Sequence, residues 1–340
     1  VTRPTRIPPI DAAPLFAGPS TARERADAAI AAAARDSGFL VLTRLPDAVP
    51  LGPEARATLL RVLQLPEEAR RALWRQAWAP EHPNVYRGYF PLHAGIIKEG
   101  MDIGPDRPPP PGHEHDALAE PTPLPPESAL PGWRARVRTS FAALERVGAG
   151  LMHALARGLG LPETAFDAPF VDGHSTLRLI LYPAWPALAE RYGLDLRPVS
   201  GPGGARGYDI GGEHVDSGFV TLLQQDEVPG LQARLADGAW VDVPVIERAL
   251  VVNFGRLLER WTGGRIRATE HRVLGQDRPR RSIPFFYEPR VDARIEPLPG
   301  GEPFEPFAYG DHLWDAMSRF AEFADAERWP RGAGPAGQGA

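Results

Sequence analysis

The chain has 340 residues, 43% of them hydrophobic, a formal net charge of −5 and no cysteine. That length can bury a large core and fits one β-barrel enzyme with flanking helices. The mild acidity gives no footing for nucleic acid or an anionic membrane surface, and the missing thiols exclude disulfides, zinc–thiolate sites and cysteine nucleophiles.

In chain order, "VTRPTRIPPIDAAPLF" has no hydrophobic signal core and no later apolar run is long enough to cross a bilayer, so a cytoplasmic protein is expected, with no membrane and no obligate protein partner. Thr21 and Glu24 form a capping box that opens a helix, and Asp36-Ser37-Gly38 closes it ahead of a short buried strand, Phe39 to Leu42. Helices are predicted over Pro53 to Leu63 and Pro66 to Gln76. Pro105 to Pro131 is proline-rich and aperiodic, a long loop that is either functional or mobile. Val137, Phe141, Leu144, Val147, Leu151, Leu155 and Leu159 recur at helical spacing, ended by Gly158, Gly160 and Pro162.

From Leu177 the texture changes to short apolar or alternating runs: "TLRLILYP", "FVTLLQQ", "LQARL", "AWVDVP", "ALVVNFG" and "RSIPFFYEP". Bounded by Gly, Pro and Asp, they predict a many-stranded antiparallel sandwich or barrel. A helix over Tyr309 to Phe323 follows. The expectation is a single domain over residues 1–325, mainly β with flanking helices. It comprises a helical part with the first strands and a substrate loop (1–176), a core (177–290) and a C-terminal helix region (291–325), with a disordered tail at 326–340.

Chemistry concentrates in "GGEHVDSGFVTLLQQDEVPGLQAR". On a strand, His214 and Asp216 would aim an imidazole and a carboxylate at one point. His271, in "GGRIRATEHRVLG", is the candidate third ligand, expected on a distant strand facing them across the barrel. Two histidines and a carboxylate on one triangular face leave positions open and favour non-haem Fe(II), although zinc can use the same set. In "RRSIPFF", Arg280 and Ser282 share a strand face and make a fork for a carboxylate. Tyr182, in "LRLILYP", could donate to the same carboxylate.

With "RIPPIDAAPL", "DSGFLVLT", "VVNFGRLLERWTGGRIRATEHRV" and "RRSIPFFYEP" in this order, the chain resembles the isopenicillin N synthase-like branch of the Fe(II)/2-oxoglutarate-dependent dioxygenases from about Ile7 to Phe323. The resemblance implies a double-stranded β-helix (jelly-roll) core. It implies His214, Asp216 and His271 as iron ligands, and Arg280 and Ser282, assisted by Tyr182, as the anchor of the cosubstrate's far carboxylate. Fe(II), 2-oxoglutarate and dioxygen are the implied cofactors, with ascorbate supportive in vitro and no catalytic residue beyond the iron centre. Two positions depart from the family pattern: Ile180 stands where asparagine is frequent, and Arg256 where aspartate is usual.

The implied reaction oxidises an unactivated C–H bond of a small organic or amino-acid-like metabolite, most simply by hydroxylation, in natural-product biosynthesis. The stretch from Asn84 to Gly104 is the expected substrate wall, with Tyr86, Arg87, Tyr89 and Phe90 as contacts, Lys98 and Glu99 as weaker ones, and Phe254 and Phe286 as lining from the β-core. Two alternatives stay open: an iron oxidase of the same fold that needs no 2-oxoglutarate, and a zinc hydrolase. His113 and His115 are expected to be exposed, His153 to be structural, and His174 has no assigned role.

Overall fold

A computed structural model describes residues 7–93, 97–193, 198–200, 206–210, 212–298 and 302–329. The first part of the chain contributes β1 (Pro9–Asp11), α1 (Thr21–Asp36), β2 (Phe39–Thr43), α2 (Pro53–Leu60), α3 (Glu67–Arg71), β3 (Gly88–Phe90), β4 (Glu99–Ile103) and α4 (Trp133–Gly158). Then come α5 (Asp167–Phe170), β5 (Thr176–Tyr182), α6 (Trp185–Tyr192), β6 (Pro198–Ser200), β7 (Arg206–Asp209), β8 (Val220–Gln225), β9 (Leu231–Arg234) and β10 (Trp240–Asp242). The last are β11 (Leu250–Phe254), α7 (Arg256–Trp261), β12 (His271–Gly275), β13 (Arg280–Tyr287), β14 (Arg294–Ile295), β15 (Phe307–Ala308) and α8 (Tyr309–Met317).

An eight-stranded sheet, ordered β1-β2-β11-β8-β13-β5-β4-β3, faces a five-stranded sheet, ordered β10-β9-β12-β7-β6. The early strands extend the large sheet on both sides, so the sheet reaches well outside residues 177–290. Side chains alternate between its two faces. Leu40, Leu42, Leu177, Leu179, Leu222, Leu250, Val252, Ile283 and Phe285 point outward into one core with α4. Phe39, Val41, Ile180, Tyr182, Leu223 and Val251 point inward and meet Leu231, Ala233 and Val273 of the small sheet. Each fully buried Leu, Ile or Phe contributes roughly 1.5–3 kcal/mol. Covering both faces explains why these strands read as nearly continuous apolar runs.

On the outer face, α4 places Phe141 edge-on to Phe285 at 5.0 Å. Gly148 lets the helix approach the sheet here, because a Cβ at that position would stand 2.5 Å from Tyr287 Cγ. Two predicted helices are shorter than expected. α3 stops at Arg71 because the chain turns to pair with β3: Tyr89 N donates to Leu73 O at 2.7 Å and Arg75 N to Tyr89 O at 3.0 Å. α8 stops at Met317, and Phe323 turns into the core beside Tyr86, ring centroids 6.0 Å apart.

The proline-rich stretch is tied down. Glu120 accepts the backbone N–H groups of Val85, Tyr86 and Arg87 at 3.0, 2.7 and 2.5 Å. Asp116, buried, accepts Arg328 Nε at 2.9 Å and Nη2 at 2.7 Å. Arg328 also reaches Asp311 at 2.7 Å. The expectation of a disordered tail from residue 326 is therefore corrected for 326–329, where a buried ion pair holds the chain. Residues 330–340, like 1–6, lie outside the described residues.

Replacing Arg328 by methionine strands the Asp116 carboxylate in the interior. It should cost about 3–5 kcal/mol, read as a lowered urea midpoint; an unchanged midpoint would show that water already satisfies Asp116.

Candidate metal centre and cosubstrate site

His214 and His271 are paired through the backbone: His214 N donates to His271 O at 3.0 Å and His271 N to His214 O at 2.8 Å. They are direct cross-strand neighbours on the small sheet, so the expectation that His271 faces the H-x-D pair across the barrel is corrected. The H-x-D segment is also not a continuous strand. After His214 the chain leaves the small sheet, and Asp216 precedes β8 of the large one. The segment spans the two sheets and brings a ligand candidate from each to one place.

Candidate donor atoms of His214, Asp216 and His271 lie within 4.8 Å of one another, and this is the metal-capable cluster among the described residues. His214 Nε2 and His271 Nε2 stand 3.8 and 3.7 Å from Asp216 Oδ1. His214 Nδ1 is 2.9 Å from Gly212 O and His271 Nδ1 is 3.1 Å from Thr269 O. A carbonyl only accepts, so both Nδ1 atoms carry the proton and both Nε2 lone pairs turn toward the carboxylate. Asp216 Oδ2 accepts Thr221 Oγ1 at 2.5 Å and Asn253 Nδ2 at 2.7 Å, leaving Oδ1 toward the histidines. Two neutral nitrogens and one carboxylate oxygen on a single face fit a ferrous ion.

Burial holds His214 below its ordinary value, reinforced by His271. Burial pushes Asp216 up, but His271, His214 and the two hydrogen-bond donors outweigh it, and it stays below its ordinary value. Both shifts bias His214 and Asp216 toward the forms that bind a cation.

The backbone beneath Asp216 is fixed by the start of α7. Arg256 N donates to Asp216 O at 2.8 Å, and Gly255 N to Phe219 O at 2.9 Å. A Cβ at Gly255 would lie 2.2 Å from Gly218 O, so only glycine admits this approach. Arg256 acts through its backbone, and its exposed side chain has no part in the centre.

Arg280 is 2% exposed. Its Cα partner is Tyr182, with the guanidinium 5.5 Å from that ring, and Ser282 pairs with Ile180 and with Gln225. Nη2 donates to Gln225 Oε1 at 3.2 Å, Nε has no partner, and no carboxylate pairs with this guanidinium among the described residues. The nearby Asp226 is occupied by the backbone N–H groups of Arg281 and Val228. Burial lowers the Arg280 pKa, yet a guanidinium stays charged in proteins. A buried cation with free donors calls for an anion. Along the inner face of β8, Thr221 bonds to Asp216 and Gln225 to Arg280. Four residues separate their backbones, about 13 Å, and the inward-leaning side chains close part of that distance.

The expected substrate contacts divide by strand parity. Phe90 and Phe286 lie on the inner face. Tyr89 points outward to Arg70 and Glu99, and Phe254 packs into the outer core. For these two the pocket-lining expectation is corrected, because strand neighbours cannot share a face. Tyr86 packs by Phe323, and Arg87 is fully buried, donating to Thr176 Oγ1 at 2.6 Å and His174 O at 3.2 Å. Arg178 is a further inner-face residue, not singled out from the sequence. On the inner face of β5, it lies over Phe90 and Phe286 at 5.7 and 5.3 Å and grips buried Asp102 through Nε (2.5 Å) and Nη2 (2.8 Å). Arg75 binds the same carboxylate. The available signal is a charge on the same strand parity as Tyr182.

Away from the centre, His153 bonds to Asp167 at 2.8 Å and His113 to Asp116 at 2.9 Å, and buried His174 meets Leu118 O.

The two-sheet fold and the His-Asp-His centre define a jelly-roll non-haem iron oxygenase. Residues 185–289 match the 2OG-Fe(II) oxygenase superfamily. The chain is 30% identical over 331 residues to isopenicillin N synthase of Streptomyces clavuligerus, covering 90% of this chain and 93% of that protein. It is 32% identical over 201 residues to the 2-oxoglutarate-dependent dioxygenase htyE of Aspergillus rugulosus, covering 55% and 56%. A full-length Neurospora crassa protein, solved in complex with alpha-KG and thymine, superposes with a TM-score of 0.75 at 27% identity, covering 92% of this chain and 96% of that one. The chain belongs to the 2OG-Fe(II) oxygenase superfamily and is an Fe(II)- and 2-oxoglutarate-dependent dioxygenase. The zinc-hydrolase alternative falls away with membership of this superfamily. Among the described residues, no helix is long and apolar enough to cross a membrane.

Asn253→Ala frees Asp216 to rotate and should weaken Co(II) or Fe(II) binding about 10- to 100-fold in an anaerobic titration; unchanged affinity would mean Thr221 alone orients the carboxylate. Glu288, buried near Arg87, is pushed by burial from 4.5 up to about 7. A carboxyl raised on folding contributes stability fully below pH 4.5, and that contribution is lost as pH rises through about 7. Glu288→Gln should therefore reduce the decline of the urea midpoint over that window, and a decline of wild-type size would count against this assignment.

Proposed function

We propose that His214, Asp216 and His271 hold the ferrous ion. Arg280, Ser282 and Tyr182 then receive the far carboxylate of 2-oxoglutarate, and a small organic or amino-acid-like metabolite lies against Phe90, Arg178 and Phe286 to be hydroxylated. The observation that carries this reading is the buried, carboxylate-free Arg280. It is joined through Gln225 and β8 to Thr221, which orients the Asp216 carboxylate.

The bound iron and cosubstrate supply the oxidising chemistry, with dioxygen consumed and succinate and CO2 released. The protein's part is placement. Gly212 O and Thr269 O keep both Nε2 atoms free as ligands, and Asn253 and Thr221 hold the carboxylate oxygen toward them. Ile180, standing where the family often carries asparagine, makes the wall beside Ser282 apolar and helps exclude water from the guanidinium. Asp102 locks Arg178 between two aromatic rings, so that its remaining donor edge and the rings form one rigid surface for a planar or polar group. Arg87 lies beneath this surface, held by Thr176 and the His174 carbonyl, and supports the floor. The relation to isopenicillin N synthase and to the dioxygenase htyE supports a role in natural-product tailoring.

Anaerobic addition of Fe(II) and then 2-oxoglutarate should produce a visible charge-transfer band, and admitting air should release succinate. Removing one member of a buried charge-assisted contact costs about 2–5 kcal/mol. Arg280→Gln should therefore raise the 2-oxoglutarate KM about thirtyfold or more, with Fe(II) affinity little changed. Wild-type KM in that variant would overturn the assignment.

A further inference from the structure

Lys98 is the single lysine in a chain whose other basic residues are arginines. It precedes β4, where Glu99 pairs with Leu181 and Gly100 with Ile180. Extending that register by one step sets position 98 beside Tyr182, which itself pairs with Arg280. Glu99 points to the outer face, where Arg70 Nη1 donates to it at 2.9 Å and Tyr89 also bonds to it. Alternation then turns Lys98 inward. The side chain is half-buried, and no hydrogen bond or ion pair joins its ammonium to another described residue. Lys98, Tyr182 and Arg280 thus form one row across three strands on the inner face.

The other cations around the site already have partners. Arg178 is held by Asp102, Arg75 by Asp102 and Glu322, and Arg87 is walled in behind Thr176. In the loaded centre, the ferrous ion's two positive charges, the Asp216 carboxylate, the doubly negative cosubstrate and Arg280 cancel. The Lys98 ammonium is left over. A half-buried cation is stabilised by an opposite charge.

We propose that Lys98 anchors a carboxylate of the primary substrate, so that the substrate is a small, singly charged organic acid. This rests on the dioxygenase site proposed above. One arm carries the carboxylate to Lys98, and the bond to be oxidised is presented near His214 and Asp216.

The test uses the anaerobic Fe(II)/2-oxoglutarate-loaded enzyme and acetic anhydride, with acetylation of Lys98 read by peptide mass spectrometry. The probes are aliphatic, aromatic and N-acyl amino acids, each matched with its primary amide. 2-Oxoglutarate alone should leave Lys98 reactive. At least one acid should protect it about tenfold, and the matched amide should not. In air, that acid should raise succinate release. Lys98→Gln should raise its KM about tenfold and erase the preference for acid over amide, and Lys98→Arg should keep most of it. Protection by 2-oxoglutarate alone, no protection by any acid, or an unchanged KM in Lys98→Gln would overturn the proposal. An acid that protects Lys98 in an enzyme releasing no succinate would count against the dioxygenase site and leave Lys98 as its anchor.

Discussion

The reciprocal backbone pair between His214 and His271 is the constraint on which the centre depends. Once those two residues lie opposite each other, their imidazoles stand side by side, with ring centroids 4.3 Å apart. The next two residues must carry the chain from the small sheet to the large one. Asp216 arrives at the crossing, its carbonyl taken by the first turn of α7 and its side chain by Thr221 and Asn253. The ligand set is thus a by-product of how two sheets are joined. Its precision comes from backbone hydrogen bonds, which lose less to side-chain entropy than long polar side chains would.

The same economy governs the inner face. Rows of side chains run across the large sheet at fixed depths: Phe39, Asn253, Thr221, Phe286 and Thr176 at one level, and Gln225, Ser282 and Ile180 two levels away. The first row serves the metal end and the second lies by the guanidinium. Depth in the barrel therefore sorts chemistry, with strand register as the ruler.

Most of this is legible in the sequence, because strands punctuated by Gly, Pro and Asp declare themselves and because H-x-D, the distal histidine and R-x-S are spaced along recognisable runs. Two kinds of error remain. Residue type alone groups Tyr89 and Phe254 with the pocket, although adjacency to Phe90 and Asn253 on a strand already assigns them to the other face. Arg178 escapes a linear reading because its partner, Asp102, lies on another strand and only the β4–β5 register brings them together. The ends of α3 and α8 differ from expectation for a related reason. Helical propensity continues past Arg71 and Met317, but pairing with β3 and burial of Phe323 prevail, as tertiary contacts do over weak local preference.

The tie between Asp116 and Arg328 spans 212 positions. Arg328 neutralises a carboxylate in the stretch that, through Glu120, fixes the backbone just before β3. A contact of such separation yields nothing until the barrel between its two ends has brought them together, so the border beside Phe90 is sealed by the fold as a whole and not by its own neighbourhood.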